Sequence, residues 1–132
     1  MNQEETDKLK KVYFLDTYAL IELSLQNANY SRFNDLSQII TSRLNLMEFY
    51  YYCIRRYDEK IAITLYNNLK HIIVNWEFDS VIFEASKLKL ENKKKKLSYI
   101  DSIGYILSKK LEVPFVTGDK EFENMDNVLF IK

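Results

Sequence analysis

The segment Pro114-Phe115-Val116-Thr117-Gly118-Asp119 decides how the rest of the chain is read. A short apolar run that breaks at a glycine–aspartate pair is a strand ending on an acid. The same arrangement stands near the start of the chain, where Val12-Tyr13-Phe14-Leu15 runs into Asp16-Thr17. Neither run alternates apolar with polar residues, so each reads as a strand covered on both faces, the habit of parallel sheets. Ile39-Ile40-Thr41, His71-Ile72-Ile73-Val74 and Val128-Leu129-Phe130-Ile131 are further strand candidates, and 27–34 is a polar loop. Helical spacing marks 18–26, 43–57, 59–69, a helix from Asp79 or Ser80 to about Leu90, and one opened by Ser98. Strands alternating with helices predict an α/β fold with a mostly parallel central sheet flanked by helices. Ligands of such sheets bind beyond the carboxyl ends of the strands, which directs attention to acids placed there.

Composition narrows the classes. The chain has 132 residues, 47% hydrophobic and 29% charged, enough for one domain with a buried core. Residues 1–10 read as a polar tail and 11–132 as a single domain. Nineteen Lys plus Arg balance nineteen Asp plus Glu, so no global basic field draws the chain onto nucleic acid. The two glycines, Gly104 and Gly118, cannot build a dinucleotide-binding turn or a Walker loop. One cysteine and one histidine exclude a Cys/His zinc site and an intrachain disulfide. The polar start lacks the pattern of a secretory signal, and no apolar run suits a membrane span, so a cytoplasmic protein with no membrane partner is expected.

Within 43–57, Leu44, Met47, Tyr51 and Ile54 recur at steps of three or four and predict the core stripe of a helix. Glu48 falls about 40° from Leu44 and about 60° from Tyr51 on the helical wheel, at the shoulder of that stripe. Burial there raises the pKa of a carboxyl group. Tyr52 lies off the stripe and is the better candidate for a partner contact. Ile100, Ile103, Leu107 and Leu111 share one face of the helix opened by Ser98. Cys53 reads as a small buried apolar residue, and His71 as structural.

Four acids have positions that suit chemistry. Asp16 and Asp119 follow strands directly, Asp101 lies in the first turn after Ser98, and Glu48 flanks an apolar face. Each has a plainer reading: Asp16 and Asp119 as helix caps, Ser98–Asp101 as a capping box, Glu48 as a rim residue. Taken together, carboxylates held close repel one another, and a divalent ion relieves the repulsion. Oxygen ligands suit Mg²⁺ or Mn²⁺, and such a site suggests phosphodiester chemistry.

The ordered blocks Leu15-Asp16-Thr17, Leu46-Met47-Glu48, Ser98-Tyr99-Ile100-Asp101-Ser102-Ile103-Gly104 and Phe115-Val116-Thr117-Gly118-Asp119-Lys120-Glu121-Phe122 resemble the PIN-domain ribonucleases. The chain looks most like the single-domain VapC-type toxins, over about residues 11–132. The resemblance implies a PIN-like three-layer sandwich and an endoribonuclease that hydrolyses RNA by a metal-activated water. It matches Asp16, Glu48, Asp101 and Asp119 to the acidic tetrad that holds Mg²⁺ or Mn²⁺, and Glu121 to an auxiliary ligand position. Thr117 matches a hydroxyl residue that orients the ligands. It also implies a homodimer and a small antitoxin partner. Ser102 and Gly104 stand where alanines are common, and Glu121 is longer than the usual aspartate.

Lys93, Lys94, Lys95 and Lys96 are candidate RNA contacts at the mouth of the site, or a solvated linker. Competing readings are a PIN-type RNA-processing nuclease outside a toxin–antitoxin pair and an inactive PIN-like binding module. A receiver-type phosphoacceptor domain ranks below both, because it needs an early acidic pair and only Asp16 ends the first strand.

Overall fold

The computed structural model describes Asn2, residues 11–77 and residues 79–132. Apart from Asn2, the expected tail at 1–10 lies outside the described residues. Four strands, β1 (Tyr13–Leu15), β2 (Ile39–Ile40), β3 (Phe115–Thr117) and β4 (Val128–Phe130), form one parallel sheet in the order β2-β1-β3-β4. From β1 the chain first adds β2 on one side, then crosses to lay β3 on the other. The carboxyl ends of β1 and β3 therefore flank the point where the strand order reverses, the place where a crevice opens in such sheets.

Alternation along these short strands builds two cores. Phe14 pairs in register with Phe115 and Leu15 with Val116, and side chains alternate faces along a strand. Leu15 and Val116 belong to a cluster with Ala19, Leu20, Leu46, Phe49 and Ala62. These come from helices α1 (Thr17–Ser24), α2 (Arg43–Arg56) and α3 (Glu59–Leu69). Phe14 and Phe115 belong to a second cluster with Val81, Tyr105 and Leu107, from α4 (Asp79–Glu91) and α5 (Tyr99–Lys110). The result is a sheet between two helical layers, the three-layer α/β arrangement expected.

Helices α1, α2, α3 and α5 start where a side chain satisfies free N–H groups. Asp16 accepts from Ala19 N at 2.9 Å, Ser42 from Asn45 N at 3.1 Å, and Asp58 from Ile61 N at 2.8 Å. Ser98 and Asp101 form a reciprocal capping box at the start of α5. Among the described residues, no buried side-chain polar atom lacks a partner, and no helix is long and apolar enough to cross a membrane.

Five local expectations are corrected. Residues 71–74 are not a strand: Lys70–Ile72 closes α3 with a 3₁₀ turn, leaving only an isolated parallel bridge between Thr41 and Ile73. Residues Ala28–Phe33, expected as a loop, also wind into a 3₁₀ helix that buries Tyr30 and Phe33. On α2 the buried stripe is Leu46, Phe49 and Cys53 rather than Leu44, Met47, Tyr51 and Ile54; Met47 is 56% and Tyr51 59% exposed. Both stripes have helical spacing, so periodicity alone does not choose between them. Tyr52 is half-buried against the first core, so Tyr51, not Tyr52, is the freer tyrosine. On α5, Ile100 and Ile103 are half-buried and Leu111 is exposed; the buried face combines Leu107 with the small residues Ser102, Gly104 and Ser108 and with Tyr105. Cys53 is buried as expected, and His71 is exposed within the turn.

The two glycines differ in what they permit. A Cβ on Gly118 would sit 2.1 Å from Tyr18 Cε1 and 2.6 Å from the Ile131 carbonyl oxygen, which cannot move without disturbing the end of the sheet. A Cβ on Gly104 would meet Phe14 Cε1 at 3.2 Å, a tight contact that a small ring shift relieves. Gly118→Ala is expected to destabilise the fold by about 1–3 kcal/mol through overpacking. Gly104→Ala should stay within about 1 kcal/mol of the parent, because alanine's better helix propensity offsets the crowding. Urea unfolding of both variants checks the ranking, and a Gly118→Ala protein as stable as the parent contradicts the packing described.

Candidate active site

Asp16 ends β1 and caps α1, so its backbone belongs to the sheet and its carboxylate to the helix start. It is only 2% exposed. Burial pushes its carboxyl pKa up to about 7; hydrogen bonds from Thr117 and from Ala19 N–H oppose the rise, and the charges of Asp101 and Asp119 add to it. Among the described residues the ion pairs are Lys87–Glu91, Lys109–Asp126 and Lys110–Glu84, and none reaches Asp16. A buried carboxyl with acidic neighbours and no cationic partner either holds a proton or holds a cation.

The other acids surround this point from separate elements. Asp119 follows β3, and its N–H donates to Thr117 Oγ1 at 3.0 Å. Its own carboxylate accepts from Glu121 N at 3.0 Å, starting the 3₁₀ turn Lys120–Phe122. Thr117, fully buried, thus links the two strand-end acids. Asp101 is half-buried at the start of α5, with Ser98 N donating to Oδ2 at 2.9 Å. Burial raises its pKa, the Ser98 hydrogen bonds oppose this, Asp119 raises it further and Lys89 lowers it. Glu48, half-buried on α2, accepts a 2.6 Å hydrogen bond from Thr17 Oγ1. Its pKa is raised by burial, lowered by Thr17 and raised by Asp101.

Asp16, Asp101 and Asp119 therefore stand within electrostatic reach of one another near the carboxyl ends of β1 and β3, and Glu48 joins them through Asp101. Each carboxylate is also engaged locally, Asp16, Asp101 and Asp119 in caps and Glu48 with Thr17. Among the described residues no three acids stand close enough, as oriented, to grasp one ion together. The donor set still fits a hard divalent cation by its chemistry: four carboxylates, no soft ligand, and one buried charge without a counterion. Glu121 is half-buried in the turn after Asp119, and its one described bond in this network is the backbone donation to Asp119. Lys93 and Lys95 line a cleft with Lys89 and Tyr99 beside Asp101, whereas Lys94 and Lys96 are exposed outside that lining.

Three participants carry no separate signal in the sequence. Thr17 orients Glu48 across 31 positions of chain, and Asn45 Nδ2 donates to Thr17 Oγ1 at 3.2 Å. Lys89 acts on Asp101 from α4. For Thr17 the only available hint is its place directly after a strand-end acid; Asn45 and Lys89 have none.

Acids at the carboxyl ends of strands beside the switch point place the site where α/β sheets bind their ligands. Comparison with known families makes the assignment particular: the PIN domain matches residues 13–128, and the chain belongs to that family. No curated protein matches the sequence. The fold is similar to that of a toxin–antitoxin complex from Klebsiella pneumoniae, with a TM-score of 0.69 at 18% identity, covering 89% of this chain and 95% of that one. It is also similar to VapBC-1 from nontypeable Haemophilus influenzae, with a TM-score of 0.67 at 17% identity, covering 92% and 97%. Nucleases of the PIN family are hydrolases acting on nucleic acids.

The raised pKa of Asp16 has a thermodynamic consequence. An acid whose folded pKa exceeds its unfolded value binds more protons when folded, so its favourable contribution is present below about pH 4 and is lost as pH rises toward 7. Without added metal, the fold should therefore weaken between pH 4 and 7. Asp16→Asn keeps a capping oxygen but removes the charge, and should be more stable than the parent by about 1–3 kcal/mol at pH 8. At pH 4 the two should converge. Urea unfolding in chelator at both pH values measures this; a gap that does not change with pH rules out the uncompensated charge.

Proposed function

We propose that this protein is a metal-dependent endoribonuclease, the toxin of a type II toxin–antitoxin pair. The observation that carries the reading is the buried Asp16 between β1 and β3, in no ion pair among the described residues, with Asp101 and Asp119 close enough to disfavour its charge. Family membership supports hydrolysis of nucleic acid, and the VapBC likeness supports the toxin role. A cytoplasmic RNA substrate belongs to the same reading.

Asp16 and Asp101 are the primary donors for Mg²⁺ or Mn²⁺, Asp119 completes the set directly or through water, and Glu121 is auxiliary. A divalent ion held by these residues would supply acidification of the attacking water and positive charge to offset that of the phosphate. Thr117 holds Asp16 and Asp119 in mutual register. Glu48, aimed by Thr17, serves as a ligand or takes the proton from the attacking water. The water oxygen bonds to phosphorus, the bond to the 3′ oxygen breaks, and that oxygen leaves with a proton. The products are 5′-phosphate and 3′-hydroxyl ends. Lys93–Lys96 hold flanking phosphates, and the exposed side of α2 around Met47, Tyr51 and Ile54 supplies apolar surface for a second copy or an antitoxin.

RNA incubated with the purified chain and Mn²⁺ or Mg²⁺ should be cut, and excess chelator should stop the cutting. Asp16→Asn and Asp101→Asn should each lower the rate by at least about a hundredfold while circular dichroism stays unchanged. Cutting at the parental rate by both variants, or undiminished cutting in chelator, refutes the assignment.

A further inference from the structure

A cleft of about 380 Å³ between α4 and the start of α5 is lined by Ser86, Lys89, Leu90, Lys93, Lys95 and Tyr99. Tyr99 opens α5 two residues before Asp101, and its side chain has no place in either core; it is 68% exposed. Its ring is held rather than loose. Lys89 Nζ lies 5.1 Å from the ring centroid and donates a 2.7 Å hydrogen bond to the Leu97 carbonyl. One ammonium thus both anchors the loop between the helices and sits against the ring. No acid lines the cleft, and among the described residues neither Lys93 nor Lys95 is in an ion pair.

An exposed aromatic ring beside unpaired ammonium groups is the combination that binds unpaired nucleic acid: the ring stacks a base and the lysines track phosphates. A base inside a duplex has both faces covered by its neighbours and cannot meet such a ring. We infer that the cleft is a subsite for single-stranded RNA flanking the cleaved phosphate, with Tyr99 as its base-stacking, specificity-determining residue. The inference rests on the ribonuclease reading and adds to it a selection for unpaired RNA. Lys93 and Lys95 supply phosphate contacts, while Lys89 buttresses the ring.

The test measures binding in the full chain carrying Asp16→Asn, so that affinity is read apart from cutting. The probe is a fluorescein-labelled 12-nucleotide single-stranded RNA followed by fluorescence anisotropy, with the matching RNA duplex as comparison. Tyr99→Ser should weaken single-strand binding about tenfold, whereas Tyr99→Phe and Tyr99→Trp stay within about twofold, because stacking needs the ring and not the hydroxyl. Duplex affinity should not change with Tyr99→Ser. The double change Lys93→Gln and Lys95→Gln should reduce the slope of log affinity against log salt by about 1.4. Equal affinity of the Tyr99→Ser and parental chains for the single strand overturns the inference, as does an equal loss in Tyr99→Phe or no detectable binding. Cutting by the chain with Asp16 intact is scored separately. A chain that cuts RNA but ignores Tyr99→Ser defeats this inference alone; ring-dependent binding without cutting defeats the nuclease reading alone.

Discussion

The constraint on which the structure turns is a carboxyl group kept out of water and, among the described residues, in no ion pair with a lysine or arginine. Asp16 caps α1 and ends β1, so the chain cannot relocate it without losing both a helix start and a strand end. Proteins rarely leave a carboxylate in such a position unless a proton or a cation completes it. Thr117 and the Ala19 N–H supply part of the compensation, but Asp101 and Asp119 work against them. The surrounding layers hold this conflict in place rather than relieve it.

That placement depends on a very small sheet. β1 and β3 contribute three residues each, yet their register separates two cores, with Phe14 and Phe115 on one side and Leu15 and Val116 on the other. Phe115 is also in contact with Phe122 and Tyr105, at ring separations of 4.9 and 5.7 Å. A shift of one residue in either strand would exchange the two cores and turn every side chain around. The strand-end acids are thus positioned by the same alternation that fills the interior. Local capping then fixes each carboxylate on its own element, so the acids are neighbours before they are partners.

What the sequence discloses follows from the range of the interaction concerned. Strands that run straight into Asp16 and Asp119, and the Ser98–Asp101 capping box, are local patterns, and they stand where the pattern puts them. The two stripes of α2 have equal periodicity, and only the layer above selects Leu46, Phe49 and Cys53 for burial. The apolar run 71–74 has the composition of a strand, but a 3₁₀ turn and a single bridge use up its length. Thr17 to Glu48 is a hydrogen bond between elements, and Lys89 acts on Asp101 through its charge from another helix. Their chemistry emerges only once α1, α2, α4 and α5 have packed. Glu48 lies at the edge of burial for a reason different from the one its helical wheel suggests, since the stripe beside it faces outward.

The absence of a side chain at Gly118 ties distant parts of the polypeptide together. Tyr18 and the Ile131 carbonyl crowd into the space a methyl group would take, while Ile131 N–H bonds to Thr117 and its carbonyl accepts from Tyr30. The stretch around Ile131 is therefore a wedge behind the acid-bearing turn, seated by contacts from α1, β3 and the Ala28–Phe33 3₁₀ helix. Any fusion or trimming that unseats it reaches the turn that carries Asp119 from behind, without touching one of the acids.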